Sequence, residues 1–211
     1  MQLVRGMWLP DGDSHFVEQM GFSPSFAGAG TYQFQKFATA FPFIRDFRHA
    51  VDVGAHCGLW ARVLARCFAK VTAFEPVSLH RELLAINAPG VTVHPCALGD
   101  QTGAIGMQPG EKSSGDAHVN TFKSDIPLRT LDSFELPGVD FLKIDVEGFE
   151  LFVIRGGERT IKSCKPVIII EQKKDCAERY GQSRFAATEL LESWGAKKVY
   201  SMAGDICLNW K

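Results

Sequence analysis

Two carboxylates two residues apart, Asp145 and Glu147, stand immediately before Gly148. The mostly apolar run that begins at Asp140 predicts a buried strand that ends at Asp145. Because open α/β sheets bind ligands outside the carboxyl ends of their strands, both acids are expected to face a ligand crevice. A carboxylate there can position a hydroxyl, take its proton, contact an ammonium group or hold a cation. We therefore predict acceptor positioning and proton handling at Asp145 and Glu147; the structural alternative is that Lys143 pairs with one of them.

Glycines mark a second candidate site, in the segment Val51-Asp52-Val53-Gly54-Ala55-His56-Cys57-Gly58. This segment predicts a short strand, a turn on Gly54 and a helix that begins near Gly58, and glycine lets a ligand approach the backbone closely. The dinucleotide spacing G-x-G-x-x-G is not met, because His56 and Leu59 occupy the second and third glycine positions. A pyrophosphate cradle is therefore not expected.

An acid follows the next predicted strand, in Glu75-Pro76, 21 residues after Gly54. Its carboxylate can accept hydrogen bonds from both hydroxyls of a ribose, or it can cap the strand end. With the glycine turn upstream, it predicts S-adenosylmethionine as the ligand, with adenine beside the segment from Cys96 to Asp100. Asp100 either accepts from the adenine amino group or opens a turn, and His56 either contacts the methionine carboxylate or is structural. The predicted binding residues are Asp52, Gly54, Ala55, His56, Gly58, Glu75, Pro76, Ala97, Leu98 and Asp145.

Other polar residues are candidates for catalysis or for metal binding. His118 ends a polar stretch that begins at Ser113; the stretch predicts a substrate loop and adds His118 to the catalytic candidates. A catechol-type arrangement would hold Mg²⁺ with Asp145, Glu171 and Gln172, since hard oxygen ligands suit that ion. Our prediction is nevertheless that no metal takes part. A further set of residues could resemble metal ligands, but we interpret it as part of a polar loop: Asp11, Asp13 and His15.

The elements that position these residues alternate between strands and helices from Ala50 onward. Strands separated by helices imply a parallel sheet with helices on both faces. Residues 99–127 show no periodicity and are predicted to form a loop with one short strand. The predicted fold is Rossmann-like α/β of the methyltransferase type, a mostly parallel seven-stranded sheet that ends in a C-terminal antiparallel hairpin. The predicted strands are 50–53, 71–74, 91–94, 140–145, 167–171, 198–201 and 206–209, and the predicted helices are 59–68, 78–87, 149–154 and 188–194.

The first 49 residues are expected to form an aromatic-rich extension of the ligand-binding domain at residues 50–211. They contain eight of the sixteen phenylalanines. Residues 21–30 predict a loop, and residues 32–43 predict a helix with Phe34, Phe37 and Phe41 on one face. Two roles stay open for the remaining aromatic residues, a lid over the methyl acceptor or core for the added helix: Trp8, Phe16, Phe22 and Phe26.

Between Val51 and about Glu171 the chain resembles the FkbM family of S-adenosylmethionine-dependent methyltransferases. The resemblance rests on the glycine segment, on Phe74-Glu75-Pro76, on Thr130-Leu131-Asp132, and above all on Val139 to Glu150 running into Arg155-Gly156-Gly157. It implies O-methylation, typically of hydroxyls on sugars or natural products. The alternatives are a Mg²⁺-dependent catechol-type O-methyltransferase and a catalytically silent module that only binds the cosubstrate. A nicotinamide-dependent oxidoreductase is disfavoured by the missing dinucleotide spacing.

The composition of the chain limits the kinds of molecule that it is expected to bind. A net charge of −1 and the lack of a basic stripe with interleaved aromatics argue against nucleic acid, so we expect a small-molecule or glycan hydroxyl as acceptor. The six cysteines form no C-x-x-C pair and are interpreted as reduced thiols of a cytoplasmic protein. No signal peptide is visible, and the longest aliphatic run, Val167 to Ile170, is too short to span a bilayer. The pattern leaves the oligomeric state open.

Overall fold

Strands and helices alternate around one large mixed sheet in this computed structural model, which describes residues 1–27, 29–110, 113–122 and 125–211. The predicted α/β fold is therefore confirmed. Residue 28 belongs to the first predicted loop, and residues 111, 112, 123 and 124 belong to the second; all five lie outside the described residues. None of the helices in the described ranges has the length and apolarity that crossing a membrane requires.

The elements follow the chain in four groups. The N-terminal group is β1 (Gln2–Val4), β2 (Met7–Leu9), α1 (Ser14–Phe22), β3 (Ser25–Phe26), β4 (Ala29–Gly30) and α2 (Phe34–Ala40). The next group is β5 (His49–Val53), α3 (Ala61–Cys67), β6 (Lys70–Phe74), α4 (Ser78–Asn87) and β7 (Thr92–His94). An insertion contains β8 (Ala97–Leu98), β9 (Gly103–Gln108), β10 (His118–Asn120) and β11 (Ile126–Arg129). The last group is β12 (Val139–Ile144), α5 (Glu150–Gly156), α6 (Glu158–Cys164), β13 (Val167–Glu171), α7 (Ala186–Ser193), β14 (Lys197–Met202) and β15 (Asp205–Asn209). Short 3-10 turns occupy Phe41–Phe43, Ser114–Asp116, Leu131–Phe134 and Ala177–Tyr180.

The order of strands in the main sheet is β14-β15-β13-β12-β5-β6-β7. The strands from β13 to β7 pair in parallel, while β15 is antiparallel to both of its neighbours. The chain runs outward from β5 in one direction and from β12 in the other, so the topological switch point lies between these two strands. Ligands of such sheets bind beyond the carboxyl ends at this point.

Helices cover both faces of the main sheet because its buried strands alternate apolar side chains between two cores. Val51 packs in one core with residues of α5, α6 and α7, and its neighbour Ala50 packs in the other with residues of α2 and α3. In the second core Phe141 contacts Phe37, with ring centroids 5.5 Å apart, and is fully buried. Truncating such a ring to alanine typically costs about 3–5 kcal/mol of folding free energy.

The N-terminal aromatic residues divide between core and surface. Phe16 is buried in the core that contains Phe37, whereas Phe22 is 80% exposed. Trp8 packs against the same core, and Phe26 stacks on Phe34 with centroids 5.0 Å apart. The predicted helix at residues 32–43 is present as α2 with its 3-10 extension. The helix α1 and the hairpins β1–β2 and β3–β4 were not predicted, because each is short and depends on tertiary contacts.

The prediction of a loop at residues 99–127 is wrong. This insertion forms most of a second sheet with strand order β10-β9-β11-β8. Its strands are half-exposed and short, so they give no sustained alternation in the sequence. The pairing of β8 with β11 joins residues 31 positions apart, for example Ala97 with Leu128, and such a contact is set by the fold and not by local pattern.

Gly156 and Gly157 were predicted to end the helix that follows β12, but a further helix, α6, begins directly after them. A Cβ atom on Gly156 would lie 1.9 Å from the carbonyl oxygen of Gly99. The glycine therefore permits close contact between α5 and the start of the insertion. The glycine pair separates α5 from α6, and the chain stays helical on both sides of it.

Candidate active site

Two adjoining clefts lie beyond the carboxyl ends of the central strands, and Gly54, His56, Gly115 and Asp145 border both. The space between their walls, counted out to open solvent, is about 550 and 520 Å³. The first, which we call the apolar cleft, is lined in part by Val53, Phe74, Glu75, Pro76, Ala97, Leu98, Val119 and Phe149. The second, which we call the charged cleft, is lined in part by Tyr32, Asp52, Ala55, Trp60, Asp116, Lys143, Glu147, Glu171 and Lys173.

Gly54 brings the two central strands together at the clefts. Val53 pairs with Ile144, and the amide of Asp145 donates to the carbonyl oxygen of Val53 at 3.0 Å. Gly54 has a φ of +78°, and a Cβ atom on it would lie 1.9 Å from the carbonyl oxygen of Asp145. Only glycine fits this close approach. The predicted glycine turn thus places Asp145 beside the ligand crevice.

Gly58, which was predicted to bind the ligand, packs against a helix. Its φ is +87°, and a Cβ atom there would lie 3.2 Å from the Leu84 side chain, so the glycine permits packing against α4. It is absent from the described residues that line the two clefts. Ala55 and Asp52, from the same segment, do line the charged cleft.

Glu75 is held rigidly in the wall of the apolar cleft. Its carboxylate accepts hydrogen bonds from the backbone amides of His56, at 2.8 Å, and Val77, at 2.9 Å, and His80 Nδ1 lies 3.4 Å away. The side chain is 6% exposed. A carboxylate has about four lone-pair positions, so acceptor capacity remains for ribose hydroxyls. Pro76, Ala97 and Leu98 line the same cleft, as a nucleoside site at this place requires.

The insertion closes the apolar cleft from the other side. Ser114, Gly115, Ala117 and Val119 line it, so the predicted substrate loop contributes to the wall of this cleft. His118 does not belong to the described lining of either cleft; its Nδ1 lies 3.1 Å from the carbonyl oxygen of Asp116. The structure therefore does not place His118 with the two other predicted catalytic residues.

Three carboxylates meet in the charged cleft. Asp145, Glu147 and Glu171 each offer an oxygen, and these oxygens lie within 4.8 Å of one another. Lys173 Nζ lies 2.5 Å from Glu147 Oε1 and 3.1 Å from Glu171 Oε2, and Lys143 Nζ lies 3.2 Å from Asp145 Oδ2. Lys143 therefore pairs with Asp145, which is the structural alternative that the sequence left open. The two lysines bring compensating positive charge into the acidic cluster.

The carboxylates of this cluster differ in their proton affinity. Burial, and next the charge of Asp145, raises the pKa of Glu171 to about 9, so this group is neutral at pH 7. Burial alone would raise the pKa of Asp145, but the charges of Lys143 and Lys173 bring it below its ordinary value. Burial and the charge of Asp145 raise the pKa of Glu147. A base with a raised pKa accepts a proton more readily, so Glu147 is better suited to this role than Asp145.

The set predicted for Mg²⁺ is only partly assembled. The amide nitrogen of Gln172 donates to the carbonyl oxygen of Arg184 at 2.5 Å, and its Oε1 accepts from Thr188. The side chain is therefore bound toward α7, and Glu147 joins Asp145 and Glu171 in its place. Sequence reasoning did not find this set, because it depends on where the chain after β12 turns.

Asp52 is a buried carboxylate in the charged cleft with unused acceptor capacity. It is fully buried, neither oxygen has a hydrogen bond of normal geometry within the described ranges, and the backbone amide of Ala61 is near enough to lower its pKa. Burial raises its pKa to about 6, partly opposed by Lys143. Such a group can accept from an ammonium group, and the amino-acid end of S-adenosylmethionine carries one. The residues present therefore fit this cosubstrate.

Lining residues that were not predicted include Tyr32, Trp60 and Lys173. Tyr32 and Trp60 come from apolar patterns that read as core, and Lys143 Nζ lies 5.3 Å above the Trp60 ring. Lys173 bridges Glu147 and Glu171. Its position two residues after Glu171 was the available signal, since alternate residues of an extended chain share a side.

His56 and Glu147 share an unusual backbone conformation at the border of the clefts. Both are non-glycine residues in the left-handed region, with φ values of +50° and +55°. This conformation costs roughly 1 kcal/mol or more and clusters at functional sites.

A family model described as the methyltransferase FkbM domain matches residues 52–197. Over 129 residues the chain is 31% identical to the hexuronic acid methyltransferase AglP of Haloferax volcanii. That match covers 56% of this chain and 53% of the relative, so the chain spans about half the length of this curated protein.

Solved structures also match. Methyltransferase FkbM from Methylobacillus flagellatus has 22% identity, 78% coverage of this chain, 43% coverage of its own chain and a TM-score of 0.49. Precorrin 8W decarboxylase from Methanobacterium thermoautotrophicum has 14% identity, coverages of 93% and 96%, and a TM-score of 0.50. The second match indicates a common fold.

Proposed function

This chain belongs to the FkbM family of methyltransferases, and we propose that it transfers the methyl group of S-adenosylmethionine to a hydroxyl oxygen of a sugar or similar small molecule. The observation that carries the proposal is the carboxylate cluster at the border of the two clefts, where Asp145 lines both. The donor would occupy the apolar cleft with its ribose at Glu75 and would extend past Gly54, so that its amino-acid end enters the charged cleft at Asp52. The acceptor would occupy the rest of the charged cleft.

Methyl transfer to an alcohol requires alignment of the hydroxyl and removal of its proton. We assign alignment to Asp145, whose carboxylate is ionised beside Lys143, and proton acceptance to Glu147, whose pKa is raised. Glu171, neutral at pH 7, donates a hydrogen bond within the cluster. Alignment supplies much of the acceleration in such displacements, and a positioned base adds about 10²–10⁴-fold.

The charge of the cleft favours a neutral hydroxyl over a carboxylate as the reacting group. Its lining has five acidic side chains and two lysines. A carboxylate acceptor would add a negative charge beside Asp145 and Glu147, and like charges in a partly buried site repel strongly. A hydroxyl brings no such charge and needs the base that Glu147 provides.

A wider groove extends from the charged cleft and offers a path for the acceptor. Both are lined by Tyr32, Glu171 and Lys173, and the groove adds the amide side chain of Gln19 and the exposed ring of Phe22. Amide groups bind hydroxyls in both directions, and an exposed ring offers an apolar face to a sugar. We propose that residues 1–49 form this acceptor-binding extension and that residues 50–211 form the donor-binding domain.

The test is methyl transfer from isotopically labelled S-adenosylmethionine to a panel of free sugars, uronic acids, nucleotide sugars and catechols, with products read by mass spectrometry. We expect a mass increase of one methyl group on a sugar hydroxyl. Because Lys143 and Lys173 already compensate the acids, turnover should persist in EDTA; its loss and recovery with Mg²⁺ would favour the catechol-type alternative. Donor binding with no product from any acceptor would favour the silent binding module.

A further inference from the structure

A chain of hydrogen bonds links the N-terminal helix to the donor site. Asp13 Oδ2 accepts from the Ser114 hydroxyl at 2.6 Å and from the Ser114 backbone amide at 2.8 Å. Ser114 Oγ lies 2.8 Å from Nε2 of His56. The chain thus joins the residue before α1, the turn that walls the apolar cleft and the glycine turn after β5.

The direction of each hydrogen bond follows from the ionised carboxylate. Burial alone would raise the pKa of Asp13, but hydrogen bonds from Ser114, Ser113 and Phe16 together lower it. An ionised carboxylate only accepts, so the Ser114 hydroxyl must direct its proton to Asp13. Ser114 Oγ then accepts from His56, which places the proton of His56 on Nε2.

The imidazole of His56 is neutral and leaves one nitrogen unused. Burial, and next the charge of His80, lowers the pKa of His56 to about 3. With the proton on Nε2, Nδ1 carries a lone pair and can only accept. Nδ1 is buried and has no hydrogen-bond partner in the part of the chain that the structure describes. An unsatisfied buried acceptor costs free energy, about 1–3 kcal/mol, which a bound ligand can recover.

The surroundings hold this ring in place. Its centroid lies 4.9 Å from that of Phe16 and 3.9 Å from that of His80. The backbone amide of His56 donates to Glu75, the residue assigned to ribose. His56 borders both clefts, but Nδ1 itself is closed off from solvent, so a donor group on the cosubstrate reaches it only with a small displacement of the residues packed around the ring.

We propose that Asp13 and Ser114 are positioning residues that order the proton of His56, so that Nδ1 accepts a hydrogen bond from an N–H or O–H group of the methyl donor. This inference rests on the proposed donor site. It excludes the contact expected from sequence, in which His56 meets the methionine carboxylate, because two acceptors do not form a hydrogen bond. The N-terminal segment thereby contributes to donor binding, although it lies outside the matched family domain.

The proton position can be read directly from the ¹⁵N chemical shifts of selectively labelled histidine at neutral pH, with His56 assigned by its loss in His56→Gln. We expect a protonated Nε2 and a bare Nδ1 in the free protein. Binding of S-adenosylhomocysteine should shift the Nδ1 signal as that atom accepts a hydrogen bond. A shift also seen with 5′-deoxy-5′-methylthioadenosine, which lacks the ammonium, identifies a donor on the nucleoside, either a ribose hydroxyl or the adenine amino group; a shift with S-adenosylhomocysteine alone identifies the ammonium.

Two variants break the chain at different points. Asp13→Ser keeps a good helix cap but is too short to reach Ser114, and Ser114→Ala removes the central hydroxyl. In both, the proton should distribute between the two ring nitrogens, and the affinity for S-adenosylhomocysteine should fall by about two- to tenfold. Ser114→Thr should restore both readouts. The matched comparison is Ser113→Ala, which removes a neighbouring hydroxyl that donates to Asp13 at 3.1 Å and accepts from the Gly115 amide at 3.2 Å but leaves the link to His56 in place; it should change both readouts less than Ser114→Ala does.

A proton on Nδ1 in the free protein would overturn the inference, as would unchanged affinity and ring signals in both Asp13→Ser and Ser114→Ala. A bound ligand that leaves the Nδ1 signal unshifted would overturn this inference alone. Failure of the unaltered protein to bind S-adenosylhomocysteine would overturn the proposed donor site as well.

Discussion

The two clefts meet at Gly54 and Asp145 but differ in how they are built. In the apolar cleft, apolar walls surround Glu75, which backbone amides hold in place, and Asp145 stands at the border with the other cleft. In the charged cleft, five acids and two lysines line the wall, and Asp145, Glu147 and Glu171 pair with the lysines. A mostly apolar wall with a few fixed polar groups is typical of small-molecule sites.

Perturbed pKa values separate the two clefts further. Burial and mutual charge shift Asp145, Glu147 and Glu171 in different directions within a few ångströms. Groups whose proton affinities are pushed apart are typical of acid–base sites. On the proposed function, the apolar cleft recognises the donor and the charged cleft handles the proton, so substitutions in each should affect different measurements.

The largest effect is expected from Glu147→Gln in the charged cleft. Glutamine keeps the size of the side chain but cannot accept the hydroxyl proton, so kcat should fall by about 10²–10⁴-fold. The affinity for S-adenosylhomocysteine, measured by calorimetry, should stay close to that of the unaltered protein. Glu178→Gln, an exposed carboxylate on a nearby turn, is the matched control. Unchanged kcat in Glu147→Gln would place the proton acceptor elsewhere.

The opposite pattern is expected from Glu75→Gln in the apolar cleft. Loss of a charged acceptor for ribose should weaken binding of S-adenosylhomocysteine by about 1–3 kcal/mol. The value of kcat at saturating donor should change little, because Glu75 lies outside the carboxylate cluster. Glu82→Gln on the exposed side of α4 controls for the loss of one negative charge. Equal affinity in Glu75→Gln and the control would remove the ribose assignment.

A smaller effect, on stability, is expected from Glu171→Gln. The folded-state pKa of Glu171, raised by burial and Asp145 to about 9, exceeds its ordinary value of 4.5. Between these values the folded protein keeps a proton that the unfolded chain releases, so stability falls as pH rises through this window. Glutamine mimics the neutral form, so the melting temperature should decline less between pH 5 and pH 8 than in the unaltered protein.

The control for this measurement is Glu189→Gln, which changes an exposed carboxylate on α7. Its melting temperature should follow the same pH dependence as the unaltered protein. If Glu171→Gln does so too, Glu171 is ionised in the folded state, and the division of protons in the cluster must be revised.

Much of the apolar cleft could be predicted because it depends on local patterns. A strand, a glycine turn and an acid at the end of the next strand place Gly54 and Glu75 within one parallel unit. The carboxylates after β12 followed from the same logic, because parallel strands bring their carboxyl ends to one edge. Gly58 packs against α4 and is absent from the described lining of both clefts, which shows that a glycine can serve helix packing as readily as ligand approach.

The sequence by itself determined the α/β order, the turn at Gly54 and the acids at three strand ends, since backbone geometry and apolar periodicity act over a few residues. Only the tertiary structure decided which side chains meet. Lys173 reaches Glu147 across 26 positions, and Asp13 reaches Ser114 across 101. Such contacts depend on how distant elements pack, and no local pattern encodes that packing.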